Sequence, residues 1–124
     1  MMKKLLTLAI LGLSALSFNT ALAHGGAKPK HGGVVQAAND LSFELVGTAE
    51  GAMLYVEDHG QPMAPAGMRG KLTVLNGIQK SEAELEAAND RLEAKGVTLA
   101  KGAKVVAALT TASGKAITVR FTVR

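Results

Sequence analysis

The sequence predicts an all-β domain, a small antiparallel β-sandwich or barrel of six to seven strands, behind an export signal and a short tail. Three observations lead there. Apolar and polar residues alternate with period two in several short runs, most strictly at Ile117, Val119, Phe121 and Val123. Turn residues punctuate those runs at short intervals. Hydrophobic residues make up 48% of the chain and aromatic residues 3%, so the core is built mainly from Val, Leu, Ile and Ala.

The first 23 residues have another purpose. Met1 to Lys4 is short and positive, Leu5 to Phe18 is apolar, and Ala21-Leu22-Ala23 is a small-x-small cleavage pattern. These are the three regions of a secretory signal peptide in order. The apolar run of fourteen is short of the ~20 residues that span a bilayer, so no stable membrane insertion is expected after cleavage. Cutting after Ala23 removes Lys3 and Lys4 and leaves 101 residues at a net charge of +2, against +4 for the full 124. The remaining cations are scattered and only Phe43, Tyr55 and Phe121 could stack on bases, which argues against nucleic-acid binding. In a Gram-negative source the destination is the periplasm, and a chain without Cys is indifferent to its oxidising conditions.

Residues 24–33 hold four Gly, one Pro and two Lys with Ala27 as the one small apolar residue. Such a segment is expected to be a flexible tail. The β domain then occupies 34–124. Leu41, Phe43 and Leu45 share one side of an extended strand, as do Leu54 and Val56 of the next, and Gly47 to Gly51 turns between them. Asp58 to Gly70 reads as a thirteen-residue loop with His59, Met63 and Met68 in it; loops of that length tend to be functional or mobile. Lys71 to Leu75 resumes a strand. Val105–Thr110 and Ile117–Val123 flank Ser113-Gly114-Lys115 and form a closing hairpin. No internal repeat is evident.

Ser81 to Gly96 fits two structures. Ser81 with Glu84 makes a capping-box pattern, Leu85, Ala88 and Leu92 share a helical face, and Gly96 stands where a helix would end. Ala83 and Leu85 between Glu82, Glu84 and Glu86 also alternate as a strand would. Local propensity favours the helix over a strand plus turn across 81–95.

No catalytic constellation is present, so no enzyme is expected. Ser42, Ser81 and Ser113 are the serines beyond the signal, none in a nucleophile elbow. Neither Gly70-Lys71 nor Gly114-Lys115 belongs to a phosphate-binding loop. Asp58 could orient His59 as a base, yet no nucleophile accompanies the pair. The absence of Cys also excludes thiolate zinc sites and iron–sulfur clusters.

Metal binding is the chemistry the residues admit. Cleavage makes His24 the first residue, and its α-amine and imidazole can chelate one ion together. His31 and His59 are the other imidazoles, with Met63 and Met68 as candidate soft ligands. Nitrogen ligands suit copper(II), nickel or zinc, and thioethers suit copper(I). Met53 lies within a strand and reads as core filler. Against a site, Lys28 and Lys30 lie between the two tail imidazoles, and the α-amine must lose its proton to ligate.

The order His31-Gly32-Gly33, Phe43-Glu44-Leu45-Val46, then Leu54-Tyr55-Val56-Glu57-Asp58-His59-Gly60-Gln61-Pro62 carries a resemblance. It continues through Gly102-Ala103-Lys104-Val105-Val106 and Gly114-Lys115 with Thr118-Val119-Arg120-Phe121. Together these blocks resemble the small periplasmic module at the start of some adaptor subunits of cobalt–zinc–cadmium type efflux pumps. The resemblance spans most of 31–124. It implies an all-β periplasmic domain, a role beside heavy-metal export with an adaptor subunit as partner, and a strand at Glu82 to Glu86. The chain lacks the long helical hairpin with which an adaptor bridges a pump. The expectation is a secreted, non-enzymatic accessory protein that binds or hands over a metal ion. The alternative is a metal-free interaction module docking on an adaptor or another partner.

Cleavage is checked by intact mass of the exported protein. The expected N-terminus is His24; a species retaining residues 1–23 overturns the signal.

Overall fold

The computed structural model describes residues 28–124, so the export signal and His24 lie outside the described residues. Within them the chain forms β1 (Val34–Ala38), β2 (Leu41–Gly47), β3 (Gly51–Asp58), β4 (Gln61–Met63), β5 (Arg69–Asn76), β6 (Gln79–Ala88), β7 (Arg91–Lys95), β8 (Lys104–Thr110) and β9 (Ala116–Thr122). Every pairing is antiparallel. The sheet runs β1-β2-β3-β7-β6-β5-β8-β9, and β4 pairs with β3 beside that path. Its two ends come together, with β1 lying against β9 but no ladder joining them. The result is a nearly closed barrel.

Alternation explains the curl. One side chain in two points inward, so Phe43, Leu54, Leu72, Val74, Leu92, Val105 and Ala107 are all fully buried. Burying one such Leu or Phe contributes roughly 1.5–3 kcal/mol. With no Trp and few aromatics to fill a wide interior, these aliphatic rows meet only if the sheet wraps on itself. Two connections then plug the ends. Pro65 and Met68 bury between β4 and β5, and Val97 and Ala103 bury between β7 and β8.

The strand count is nine among the described residues, where the sequence suggested six to seven, and the architecture is a barrel rather than a sandwich. Two of the additional strands are short pieces with weak signals. β1 ends at Asn39-Asp40, whose φ values of 51° and 65° fit a tight hairpin turn that needs positive φ at both central positions. The expected thirteen-residue loop is instead a His59-Gly60 turn, the three residues of β4, and the short connection Ala64–Met68. Pro62 is tolerated in β4 because that strand is short and pairs on one side only.

The helical reading of 81–95 is overturned. β6 pairs with β5 from Gln79 to Glu86, Leu85 is buried, and Glu82, Glu84 and Glu86 are exposed. Period two wins because β5 supplies a partner for the whole run, which an isolated helix would forgo. Gly96 ends a strand, its N–H donating to the Glu50 carbonyl at 2.9 Å. A short repeat does exist. Ala-Ala-Asn-Asp occurs at 37–40 and at 87–90, and both copies turn a hairpin, with Ala38 opposite Leu41 and Ala88 opposite Arg91.

Gly70 tests the packing between β5 and β8. A Cβ there would collide with the Ala108 carbonyl oxygen and crowd the Leu109 Cα. Gly70→Ala should cost about 1–3 kcal/mol of stability in urea unfolding. Ile78, 98% exposed at the tip of the β5–β6 turn, is the control: Ile78→Thr should stay within about 0.5 kcal/mol.

Candidate functional site

Glu44 stands on the outward row of β2, opposite Tyr55 of β3 and Val35 of β1. An outward Glu should be wet, yet this one is only 7% exposed. The cover is the chain itself, because residues 30–33 fold back over the outer face of β2 and β3 before β1 begins. The carboxylate holds them there. Its Oε1 accepts the Lys30 N–H at 2.9 Å, and its Oε2 accepts the His31 and Gly33 N–H groups at 2.9 and 2.8 Å. Gly32-Gly33 makes this approach feasible. Gly32 has a φ of 77°, and a Cβ on Gly33 would strike the Leu45 carbonyl. The segment expected to be a flexible tail is therefore anchored at its end.

His31 is positioned from two directions. Its Nδ1 lies 3.1 Å from Glu44 Oε1. Its ring stacks on Tyr55, with centroids 3.7 Å apart and planes within 5°. With the carboxylate as acceptor, the Nδ1 proton points inward and Nε2 is the nitrogen left for a further partner. Tyr55 in turn donates its hydroxyl to Met53 Sδ at 3.5 Å. Lys30 extends the network the other way, with Nζ 2.7 Å from Glu57 Oε2 and 3.2 Å from the Gly60 carbonyl.

The other candidates lie apart. His59 sits in the β3–β4 turn at a φ of 53°, its Nδ1 2.6 Å from Asp58 Oδ1, with the imidazole well exposed. Met63 belongs to β4 and packs against the core, and Met68 is buried in it. The thioether that does face outward is Met53, which the sequence suggested was core filler; it is half-buried on β3 and bonded to the Tyr55 hydroxyl. Among the described residues no three His, Asp or Glu side chains gather as a metal cage. Neither imidazole is hydrogen-bonded to a hydroxyl.

Sequence reasoning missed Glu44 and Tyr55. The available signal was His31-Gly32-Gly33, two glycines after an imidazole and just before the first strand.

Burial is the largest single influence on the Glu44 carboxyl and pushes its pKa up. The backbone N–H groups of Lys30, Gly33 and His31, with the His31 ring, together outweigh it and hold the pKa below 4.5. A lowered carboxylate pKa stabilises the fold fully above the unfolded value and is lost as pH falls through the folded value. The amides of Lys30, His31 and Gly33 should thus be protected from hydrogen exchange at pH 5 to 7 and lose protection only below about pH 4.5. Glu44→Ala, which leaves no acceptor, should lose that protection at every pH and cost about 1–3 kcal/mol. Protection that survives in this variant would show that the carboxylate does not hold the segment.

No protein-family model, curated protein or solved structure matches this chain.

Proposed function

We propose that this is an exported, periplasmic, non-enzymatic accessory protein of heavy-metal efflux that binds or hands over a metal ion on imidazole nitrogen. The observation that carries the reading is His31. A carboxylate on one ring nitrogen orients the other and makes it a better donor, the arrangement found behind metal-ligating histidines. Lys30 and Gly60 are in contact, so the residue before one imidazole touches the residue after the other. The two belong to one region of the barrel surface.

Four nitrogens are then available without a preformed cage. They are His31 Nε2, the His59 ring, and the amine–imidazole pair that cleavage would create at His24. Four positions separate His24 from Lys28, a span of up to about 14 Å when extended. Nitrogen donors of this kind suit copper(II), nickel or zinc. Met63 and Met68 contribute packing in this reading, and Met53 is the thioether joined to the site through the Tyr55 hydroxyl. The partner is an adaptor subunit of a metal efflux pump, in keeping with the sequence resemblance.

A second reading is favoured by a separate observation, the open seam between β1 and β9. In that reading the protein is a metal-free interaction module and the seam is its contact surface.

Calorimetric titration of the cleaved protein with Cu(II), Zn(II) and Ni(II) tests the first reading. Affinity should exceed that of a free His-Gly-Gly peptide and fall as pH drops, since every donor must shed its proton. His31→Ala should weaken it at least tenfold, and Glu44→Gln by about 10–100-fold through loss of the oriented ring. Affinity equal to the free peptide's removes the site.

A further inference from the structure

We infer that the groove beside the β1–β9 seam binds an acidic, extended segment of a partner protein, laid along the cationic side chains of β8 and β9. This rests on the second reading above and specifies its surface and ligand. The groove is open, encloses about 510 Å³, and is walled by Val34 and Gln36 of β1 and by residues 104–106 and 120–122 of β8 and β9, with Val105 and Phe121 of the core at its base. β1 and β9 lie against each other without a ladder, so the segment lies over the seam and not between the strands. Gln36 lies opposite Phe43, on the row that faces the core elsewhere, yet it is exposed. That exposure marks where the barrel stands open.

Charge selects the ligand. Lys104, Arg120 and Arg124 line the groove and no Asp or Glu side chain does. Among the described residues none of the three pairs with an Asp or Glu side chain; Lys104 reaches only the Thr122 hydroxyl, at 3.1 Å. Their spacing follows from the register. Arg120 is level with Val106, and Thr122 with Lys104. The Val123 N–H donates to the Ala103 carbonyl and the Val123 carbonyl accepts from the Gly102 N–H, which carries Arg124 one pleat further. The cations thus recur at every second level, steps of about 7 Å. A strand repeats its side chains on one face at the same interval, so carboxylates at alternate positions would meet all three. A membrane surface or a polyanion would supply charge without that interval.

A fluorescein-labelled decapeptide alternating Glu and Thr is the probe, read by anisotropy at low salt with EDTA present, so that metal plays no part. It should bind at least tenfold more tightly than a peptide of the same composition with all Glu in one half. Arg120→Glu should weaken it at least tenfold. Lys104→Glu should do the same, and both residues are exposed on the barrel exterior, so folding can be verified by circular dichroism. Amide shifts should concentrate on β8 and β9. Equal affinity for both peptides, or displacement by phosphatidylglycerol vesicles at matched charge, overturns the extended ligand. Shifts confined to another surface overturn the groove while leaving the docking reading intact. Self-association that excludes the peptide makes the occupant a second copy and also overturns the inference. Absence of binding to any extended peptide, together with failure to capture an efflux adaptor, removes the docking reading as well.

Discussion

The Glu44 carboxylate organises the N-terminal side of this molecule. It sits on the face of β2 that should be solvated, and the chain has brought three of its own backbone donors to cover it. A buried charge left alone would be costly, and a backbone turn left undocked would be disordered. Each fault corrects the other. The arrangement also settles where His31 stands, because the amide that anchors the backbone and the ring nitrogen that faces inward belong to the same residue. Tyr55 supplies the floor on which the ring lies. A surface histidine thereby acquires a defined orientation from local covalent geometry and one carboxylate.

The barrel beneath is built from small means. Aliphatic rows close over one another and the two crossovers seal the ends, so the interior needs no large side chain beyond Phe43 and Phe121. The exterior is divided. Glu84, Glu86 and Glu93, with Lys95 beside them, line a depression over β6 and β7, whereas only cations line the groove over β8 and β9 among its charged side chains. Such a division gives each side a different electrostatic character.

Much of this fold was legible in the residues. The β2–β3 and β8–β9 hairpins follow from period-two alternation and the turns between, because each strand shows one dry face and one wet face. β6 was ambiguous because Glu and Ala favour helices by propensity, and only a neighbour such as β5 decides between the two periods. β1 and β4 were obscured by brevity, and by turns at Asn39-Asp40 and His59-Gly60 that do not look alike as sequence. The site was less legible. Glu44 has the same pattern as any outward strand residue, and its burial depends on residues 11–14 positions earlier. The methionines were inverted for a related reason: Met68 lies in an irregular connection that plugs the barrel, while Met53 lies in a strand but on its outer row. Composition and periodicity report faces, and they are silent on what folds over a face.

The unclosed seam gives the barrel a mechanical property that a complete cylinder lacks. Every other neighbouring pair along the path is stitched by backbone hydrogen bonds, so separating it means breaking a ladder. Between β1 and β9 no such stitch resists. The ring is therefore a split collar whose diameter can change by flexing at one line, with the twist of eight strands acting as the spring.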